Sequence, residues 1–461
     1  SLFNSKEIAQ NNLVNQITGR YIPSNSNYGK SNNIFDISSL NLTENDYDIY
    51  INGVKEEKSS NIYPFVKGII YDIKIIFHKL LVKTENMFKD CVSLIKLDLS
   101  QFDTSQVTNM NKMFYGCSSL ISINLNNFNT EKVIFMEDMF YSCESLPKLN
   151  LSSFNTLNVY SMESMFSGCL SLRNLDLSSF NTKNVKNMGW LFSHCESVTS
   201  INLSNINTRK VKTMQSMFSN CKYLVKIDLS GFHTENVENM ESMFTDCTTL
   251  TSINLNNFDT RNVITMNSMF YNCENLRTIN LYNFNTQKVK TMANMFFGCY
   301  SLRSVNLSSF DTREVAYLSS MFYNCLSLTH INLSSFNTQK VVNTGNMFNN
   351  CVSLRNINLS SFNSTSFEYV YNMFYNCTSL TSLDLSSFKF ENVITMEQMF
   401  YGCNNLKRII MNNCQMKNDI NLNLAFYGLG KNGTILVPKD KCNKLIDELV
   451  SSENNWKIEY I

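Results

Sequence analysis

Histidine is scarce in this chain and scattered: four in 461 residues, at His78, His194, His233 and His330. They hold unrelated positions, and no Cys-x-x-Cys pair occurs anywhere. Together these absences exclude the familiar zinc-ligand spacings. They also leave no Cys-His or Ser-His-Asp set for nucleophilic catalysis. Excess charge is lacking as well. With 39 Lys and Arg against 38 Asp and Glu, the formal net charge is +1, which gives no footprint for nucleic acid or an anionic membrane. Long apolar runs are missing too. The best candidate, KGIIYDIKIIFHKLLV, is broken by Asp72, Lys74, His78 and Lys79, short of the roughly 18 residues of a membrane span. The chain opens on Ser1, as expected of a trimmed or mature product.

What the sequence has instead is a period. Thirteen of its 15 cysteines, from Cys91 to Cys403, stand 26 residues apart without insertion or deletion. Counting Cys as position 1, the unit reads C-x-S-L-x-x-I-N-L-S-S-F-N-T-x-x-V-x-x-M-x-x-M-F-x-x. Positions 1, 4, 7, 9, 12, 17, 20, 23 and 24 are apolar in nearly every copy. Positions 7 and 9 fall on one face of an extended segment. Positions 17, 20, 23 and 24 have the spacing of one stripe on a short helix. The S-F-N-T between them offers turn and cap side chains, such as Asn129 or Thr130 for a helix running toward Met139.

One unit is too small to bury its own apolar face, so the units must stack, with one parallel strand per coil. The expected fold is an α/β repeat solenoid, with one short β-strand and one short helix in each 26-residue repeat and a cap at each end. Thirteen coils at about 4.8 Å would measure roughly 60 Å. The solenoid is expected over residues 71–412. Residues 1–70 lack the period and read as an N-terminal cap, with a helix over residues 7–17 and a hairpin turn at Asn52-Gly53 within DIYINGV. Residues 413–461 would close the other end, where an open coil would expose apolar side chains and a sheet edge.

The motif L-x-x-I-x-L-x-x-F, joined through M-F-x-x-C to the next Leu, resembles a leucine-rich repeat, a right-handed coil. More narrowly, it resembles the BspA-like surface proteins with mycoplasma-type 26-residue repeats. Residues 80 to 412 carry the resemblance, and GTILVPKDKCNKLIDELVSSENNW is similar to the end of such proteins. The resemblance implies a cell-surface or secreted protein. Its expected role is adhesion to a protein or glycan on a host or neighbouring cell, without catalysis, cofactor or metal. The alternatives are a cytoplasmic scaffold for protein partners and a purely structural spacer rod.

Four residue sets invite a chemical reading. The cysteine ladder reads as buried small hydrophobes rather than a redox or metal array. Stacked thiols would lie about 5 Å apart but point the same way, a poor disposition for disulfides. Cys414 and Cys442, outside the register, are the plausible pair, and whether they join is left open by the sequence. Position 8 is Asn or Asp in the twelve units from Cys91 to Cys377: Asp98, Asn124, Asn150, Asp176, Asn202, Asp228, Asn254, Asn280, Asn306, Asn332, Asn358 and Asp384. This row reads either as a recognition strip on the concave sheet or as an amide ladder bonded from coil to coil. The aspartates are never in adjacent units, where two carboxylates would repel by about 1 kcal/mol even in water. Asn-Leu-Ser at Asn150, Asn202, Asn306, Asn332 and Asn358 matches the N-glycosylation pattern. Glycans there would obstruct the sheet, which argues mildly against a eukaryotic secretory route.

Position 25 carries an aromatic row: Tyr115, Tyr141, Tyr271, Phe297, Tyr323, Tyr375 and Tyr401, interrupted by Ser167, Ser193, Ser219, Thr245 and Asn349. The interruptions mean that the fold does not demand a ring there. Such a row suits stacking on sugars or packing against a protein, or else the rings line one another. Tyr317, Tyr369 and Tyr371 add to the C-terminal group.

Overall fold

The alternation in DIYINGV and YDIKIIF produces strands, as the period of two requires. The computed structural model describes residues 15–23, 34–57 and 63–461. The N-terminal strands are β1 (Gln16–Tyr21), β2 (Tyr47–Ile51), β3 (Val54–Lys55) and β4 (Tyr71–Phe77). Asn52 and Gly53 turn β2 into β3 with φ of 51° and 84°, the left-handed pair that a two-residue hairpin needs. Of the helix expected over 7–17, residues 7–14 lie outside the described residues, and Gln16 and Ile17 belong to β1 instead.

The sheet runs β3-β2-β4-β1-β5-β6, where β5 is Leu94–Asp98 and β6 is Ser122–Asn124. Its cap strands pair antiparallel. Strand β1 also pairs antiparallel with β5, the first coil strand, and so covers an edge that would otherwise be open. From β5 to β6 the pairing is parallel and the step is 26 residues.

The chain divides into two units, Ser1–Lys210 and Val211–Ile461. The first contains the coils of Cys91 to Cys195 and adds β7 (Asn174–Asp176) and β8 (Ser200–Asn202). The second contains the coils of Cys221 to Cys403. Its strands are β9 (Thr278–Asn280), β10 (Ser304–Asn306), β11 (His330–Asn332), β12 (Asn356–Asn358), β13 (Ser382–Asp384) and β14 (Arg408–Ile410). Each three-residue strand occupies positions 6 to 8, and paired strands meet in register one repeat apart.

The expected helix of each repeat does not form. Each unit is a β-solenoid, and α1 (Asn443–Ser451), in the C-terminal cap, is the one α-helix among the described residues. Where the helix was expected, position 19 makes a second column of parallel bridges, Lys83–Asn109–Phe135–Ser161–Asn187 in the first unit. The second unit continues the pattern from Thr213 to Asn421.

Two features explain the error. First, the spacing of three belongs to successive tight turns. In the coil of Cys117, the N–H groups of Leu120, Phe128, Val133, Tyr141 and Cys143 each donate to the carbonyl three residues back. Second, positions 22 and 26 are left-handed, as at Lys112 (φ 58°), Asp138 (φ 56°), Trp190 (φ 54°) and His194 (φ 57°). Left-handed residues recurring every four positions cannot sit in a right-handed helix. The amides of positions 22, 24 and 26 donate to the next coil instead, as Lys112 does to Glu137, Phe114 to Met139 and Gly116 to Tyr141.

The 26-residue register also runs past residue 412. Strand β15 (Thr434–Val437) pairs with β14 through Arg408–Thr434 and Ile409–Ile435. Strand β16 (Lys457–Tyr460) then closes that sheet beyond the helix. Leu429 stands where the repeat would have its cysteine, and it is buried.

The apolar repeat positions form the core, although position 7 is only half-buried at Ile123, Leu149, Ile201, Ile227 and Ile357. Phenylalanines of position 24 stack coil on coil, as Phe114 on Phe140 at 5.2 Å and Phe296 on Phe322 at 5.5 Å. Those of position 12 form a second stack, as Phe284 on Phe310 at 6.4 Å. The threonines of position 14 are buried but fully used. The Thr130 hydroxyl donates to the Asn155 carbonyl (2.9 Å) and accepts the Asn155 N–H (2.7 Å). Thr286 does the same with Asp311. Thr130 therefore bridges coils and caps no helix.

Candidate recognition surfaces

The thirteen cysteines of the ladder are free and buried. Along the ladder thiols donate to a carbonyl on the preceding coil, as Cys117 does to Phe88 and Cys247 to Phe218, both at 3.1 Å, while Cys91 reaches the Ile34 carbonyl of the N-terminal cap at 3.5 Å. Burial pushes these thiols up: to about 12 at Cys169, Cys247 and Cys403, and further at Cys117 and Cys273. At neutral pH they are inert thiols. Cys414 and Cys442, 28 residues apart, are joined as a disulfide in the C-terminal cap. Among the described residues no group of three or more His, Cys, Asp and Glu could hold a metal ion. Among the described residues no helix is long and apolar enough to cross a membrane.

The position-8 row is largely exposed, on the outer side of the short strands. It is mainly not an amide ladder. Within each coil the side-chain oxygen accepts the N–H two residues on, from Ser100 to Asp98 at 2.9 Å through Ser386 to Asp384 at 2.9 Å. Asn124, Asn150, Asp176, Asn202, Asp228, Asn254, Asn280, Asn306, Asn332 and Asn358 do the same. Asn and Asp share this geometry, which is why both, and nothing longer, appear there. The Ser178 N–H holds the Asp176 carboxyl below its ordinary range, and the Ser230 N–H does so for Asp228. Direct contact between two members of the row occurs where Asn202 donates to Asp176 at 2.8 Å.

The aromatic row is real but turned on itself. Tyr115 stacks on Tyr141 at 4.6 Å, and Tyr271, Phe297 and Tyr323 form a three-ring stack at 4.4 and 4.5 Å. Tyr375 and Tyr401 stack at 4.7 Å, and Tyr427, which the repeat reading missed, extends that column at 5.2 Å. Lys89 lies over the outer face of Tyr115 at 5.6 Å. The seven rings are half-buried, and each has at least one face covered by a stacked ring. Tyr371 covers Gly345 so closely that a Cβ there would strike its ring.

A further surface was not legible in the repeat. The outer face of the N-terminal sheet forms an open groove of about 710 Å³, lined from β1 through β6 by residues that include Arg20, Tyr50, Asp72, Lys74, Lys96 and Asp98. The antiparallel register sets its chemistry. Arg20 lies opposite Asp72, and its guanidinium grips the carboxylate at 2.7 and 3.2 Å. That contact lowers the Asp72 carboxyl. Lys74 lies opposite Tyr50, with its ammonium 5.1 Å from the ring centre. Lys96 is exposed on β5, beside Ser122. The only sequence signal was the polar half of the strand alternation, and that fixes the face without saying what lies across it.

No curated protein resembles the chain closely enough to count as a match. Among solved structures, the one titled "Crystal structure of TLR13-ssRNA13 complex" is 14% identical, with 81% of this chain and 66% of that one covered, at a TM-score of 0.23. The pneumococcal vaccine antigen PcpA is 13% identical, with 63% and 89% covered, at a TM-score of 0.19. At such scores neither carries an argument about this chain. The repeats themselves decide the relationship. A family model matches residues 82–200, 148–253, 188–305, 246–353 and 301–414, which together span well over half of the chain. It therefore belongs to the family described as "Mycoplasma protein of unknown function, DUF285".

Proposed function

We propose that the protein is a non-catalytic recognition module, surface-exposed or secreted in the manner of BspA-like leucine-rich-repeat proteins, that engages a protein or glycan of a host or neighbouring cell. The observation that carries this reading is the groove on the N-terminal sheet. It is wide and open, and it presents an ion pair, a cation over an aromatic ring and an exposed lysine on a backbone fixed by six strands. Such a face recognises a partner by complementarity and needs no reactive group. The burial of the thirteen thiols supports life outside the cell, since none is offered to an oxidant. The Cys414–Cys442 disulfide points the same way.

The test is binding of the labelled full chain to host cells, extracellular matrix and a glycan array. Two variants accompany it. One replaces Lys74 and Lys96 with Ser. The other replaces Tyr271, Phe297, Tyr323, Tyr375 and Tyr401 with Ser, which position 25 already accepts at Ser167. The groove reading expects the first variant to lose binding and the second, if folded, to keep it. Loss confined to the second would move the site to the aromatic row. If the unaltered chain binds none of these targets, the recognition reading fails.

A further inference from the structure

The cations of the second unit are unevenly paired. Some have carboxylate partners: Lys212 meets Glu238 at 2.6 Å, Arg261 and Arg313 meet Asp259 and Asp311, and Lys290 and Lys340 both reach Glu314. Position 5 lines cations up from coil to coil. It reads Arg277, Arg303, Thr329, Arg355, Thr381 and Lys407 along consecutive coils. All four cations are exposed. Among the described residues, no ion pair joins Arg277, Arg303 or Arg355 to a carboxylate.

Backbone hydrogen bonds between coils set these residues one above another. The Arg303 N–H donates to the Arg277 carbonyl (3.2 Å), Thr329 to Arg303 (3.4 Å), Arg355 to Thr329 (3.3 Å) and Lys407 to Thr381 (2.9 Å). At about 4.8 Å per coil, five steps give a stripe of about 24 Å. Exposed His330 and Arg408 flank it at position 6. Between Cys273 and Asn412 the acids at positions 2 to 10 are Glu274 and Asp384, so the stripe keeps its sign in a chain whose net charge is near zero.

We infer that this column is a binding site for a linear sulfated polysaccharide. The inference rests on the recognition reading above, but not on the groove. Guanidinium forks match sulfate and carboxylate oxygens in pairs. The strip beside them at positions 6, 8 and 10 consists mainly of Ser, Thr and Asn, which can hydrogen-bond to sugar hydroxyls. Other polyanions fit less well. Tyr282 is the one aromatic at those positions, whereas single-stranded nucleic acid is held by rows of stacking rings. A duplex groove admits a protruding helix or ribbon, which a sheet face does not supply. An acidic peptide would want pockets for anchoring side chains, and no cavity described in this unit includes a position-5 residue.

The experiment uses the full chain on immobilised heparin. One variant carries Arg277→Thr, Arg303→Thr and Arg355→Thr, a residue that position 5 already holds at Thr329 and Thr381. A control carries Lys288→Thr, Lys290→Thr and Lys340→Thr, the same charge change on another face. Each charge-assisted contact is worth about tenfold or more, so the arginine variant should lose at least about a hundredfold in affinity while the control holds. Desulfated heparin should not bind the unaltered chain. Equal losses in the two variants would reduce the effect to net charge and overturn the site. Tighter binding of polyglutamate or single-stranded RNA would overturn the ligand class. If heparin fails while cells or matrix still bind, the stripe is refuted and the recognition reading stands.

Discussion

Raising the pH should unfold this protein earlier than its lysines and tyrosines alone would dictate. The perturbation acts on the unfolded chain, where each thiol titrates near its ordinary value of about 8.5. In the folded chain, burial holds the ladder thiols protonated far above that, to about 12 at Cys169, Cys247 and Cys403. Above about pH 8.5 the unfolded state therefore binds fewer protons than the folded one, and stability falls as pH rises. The loss begins near the unfolded value and continues until the folded thiols themselves titrate.

At pH ~9.5 each raised thiol forfeits about 1.4 kcal/mol. The first unit has five such thiols, which together lose about 7 kcal/mol. The second has seven, which lose about 10 kcal/mol. Those are the sizes of a whole domain's stability, about 5–15 kcal/mol. The assay follows melting temperature and urea midpoint at pH ~7.5, ~8.5 and ~9.5 without oxygen, below the ordinary titration of tyrosine and lysine. Thiolate absorbance is read in parallel. A steep fall in both midpoints is expected, with absorbance rising only as the protein unfolds, and Cys273→Ala with Cys299→Ala should make the fall shallower. Flat midpoints, or thiolate appearing in the folded protein, would refute the reasoning.

Three further outcomes are expected. Cys247→Ser puts a shorter, more polar hydroxyl at a buried site whose thiol now reaches the Phe218 carbonyl. It should cost about 1–3 kcal/mol, while exposed Ser252→Ala leaves the melting temperature nearly unchanged; equal effects would contradict the register. Thr286→Val strands both the N–H and the carbonyl of Asp311 and should cost about 2–4 kcal/mol in urea unfolding, whereas Thr286→Ser keeps the bridge and most of the stability. Thiol titration without reductant should find none reactive in the native protein and, after denaturation, the thirteen that are free and buried. Fifteen would mean that Cys414 and Cys442 do not pair.

Much of this was legible in the sequence, and for a specific reason. A strict period leaves little freedom: residues 26 apart in sequence must be neighbours in space, so one unit's apolar positions specify the core of every coil. Cys117, Leu120, Phe128, Val133, Met136 and Phe140 are all buried as their positions require. The Asn52-Gly53 hairpin was equally readable, because its left-handed pair is a local demand. The missed signal was also local. Position 26 reads Asp, Gly, Ser, Gly, His, Asn, Asp, Asn and on in the same vein, a composition that favours left-handed backbone and argues against a helix through that point.

Other features depended on which neighbour each group finds. Whether position 8 bonds along its own coil or to the next, and whether position-25 rings face a ligand or one another, turns on distances of a few ångströms between coils. Those the period does not state. The Arg20–Asp72 grip and the Lys74–Tyr50 contact depend on the antiparallel register of β1, β2 and β4, outside any repeat. The sequence by itself determined that the chain coils every 26 residues and which side chains go inside. Tertiary structure decided the backbone path between those side chains and the partners of the polar groups. Inward burial depends only on periodicity, whereas a hydrogen bond depends on the position of an atom from a different coil.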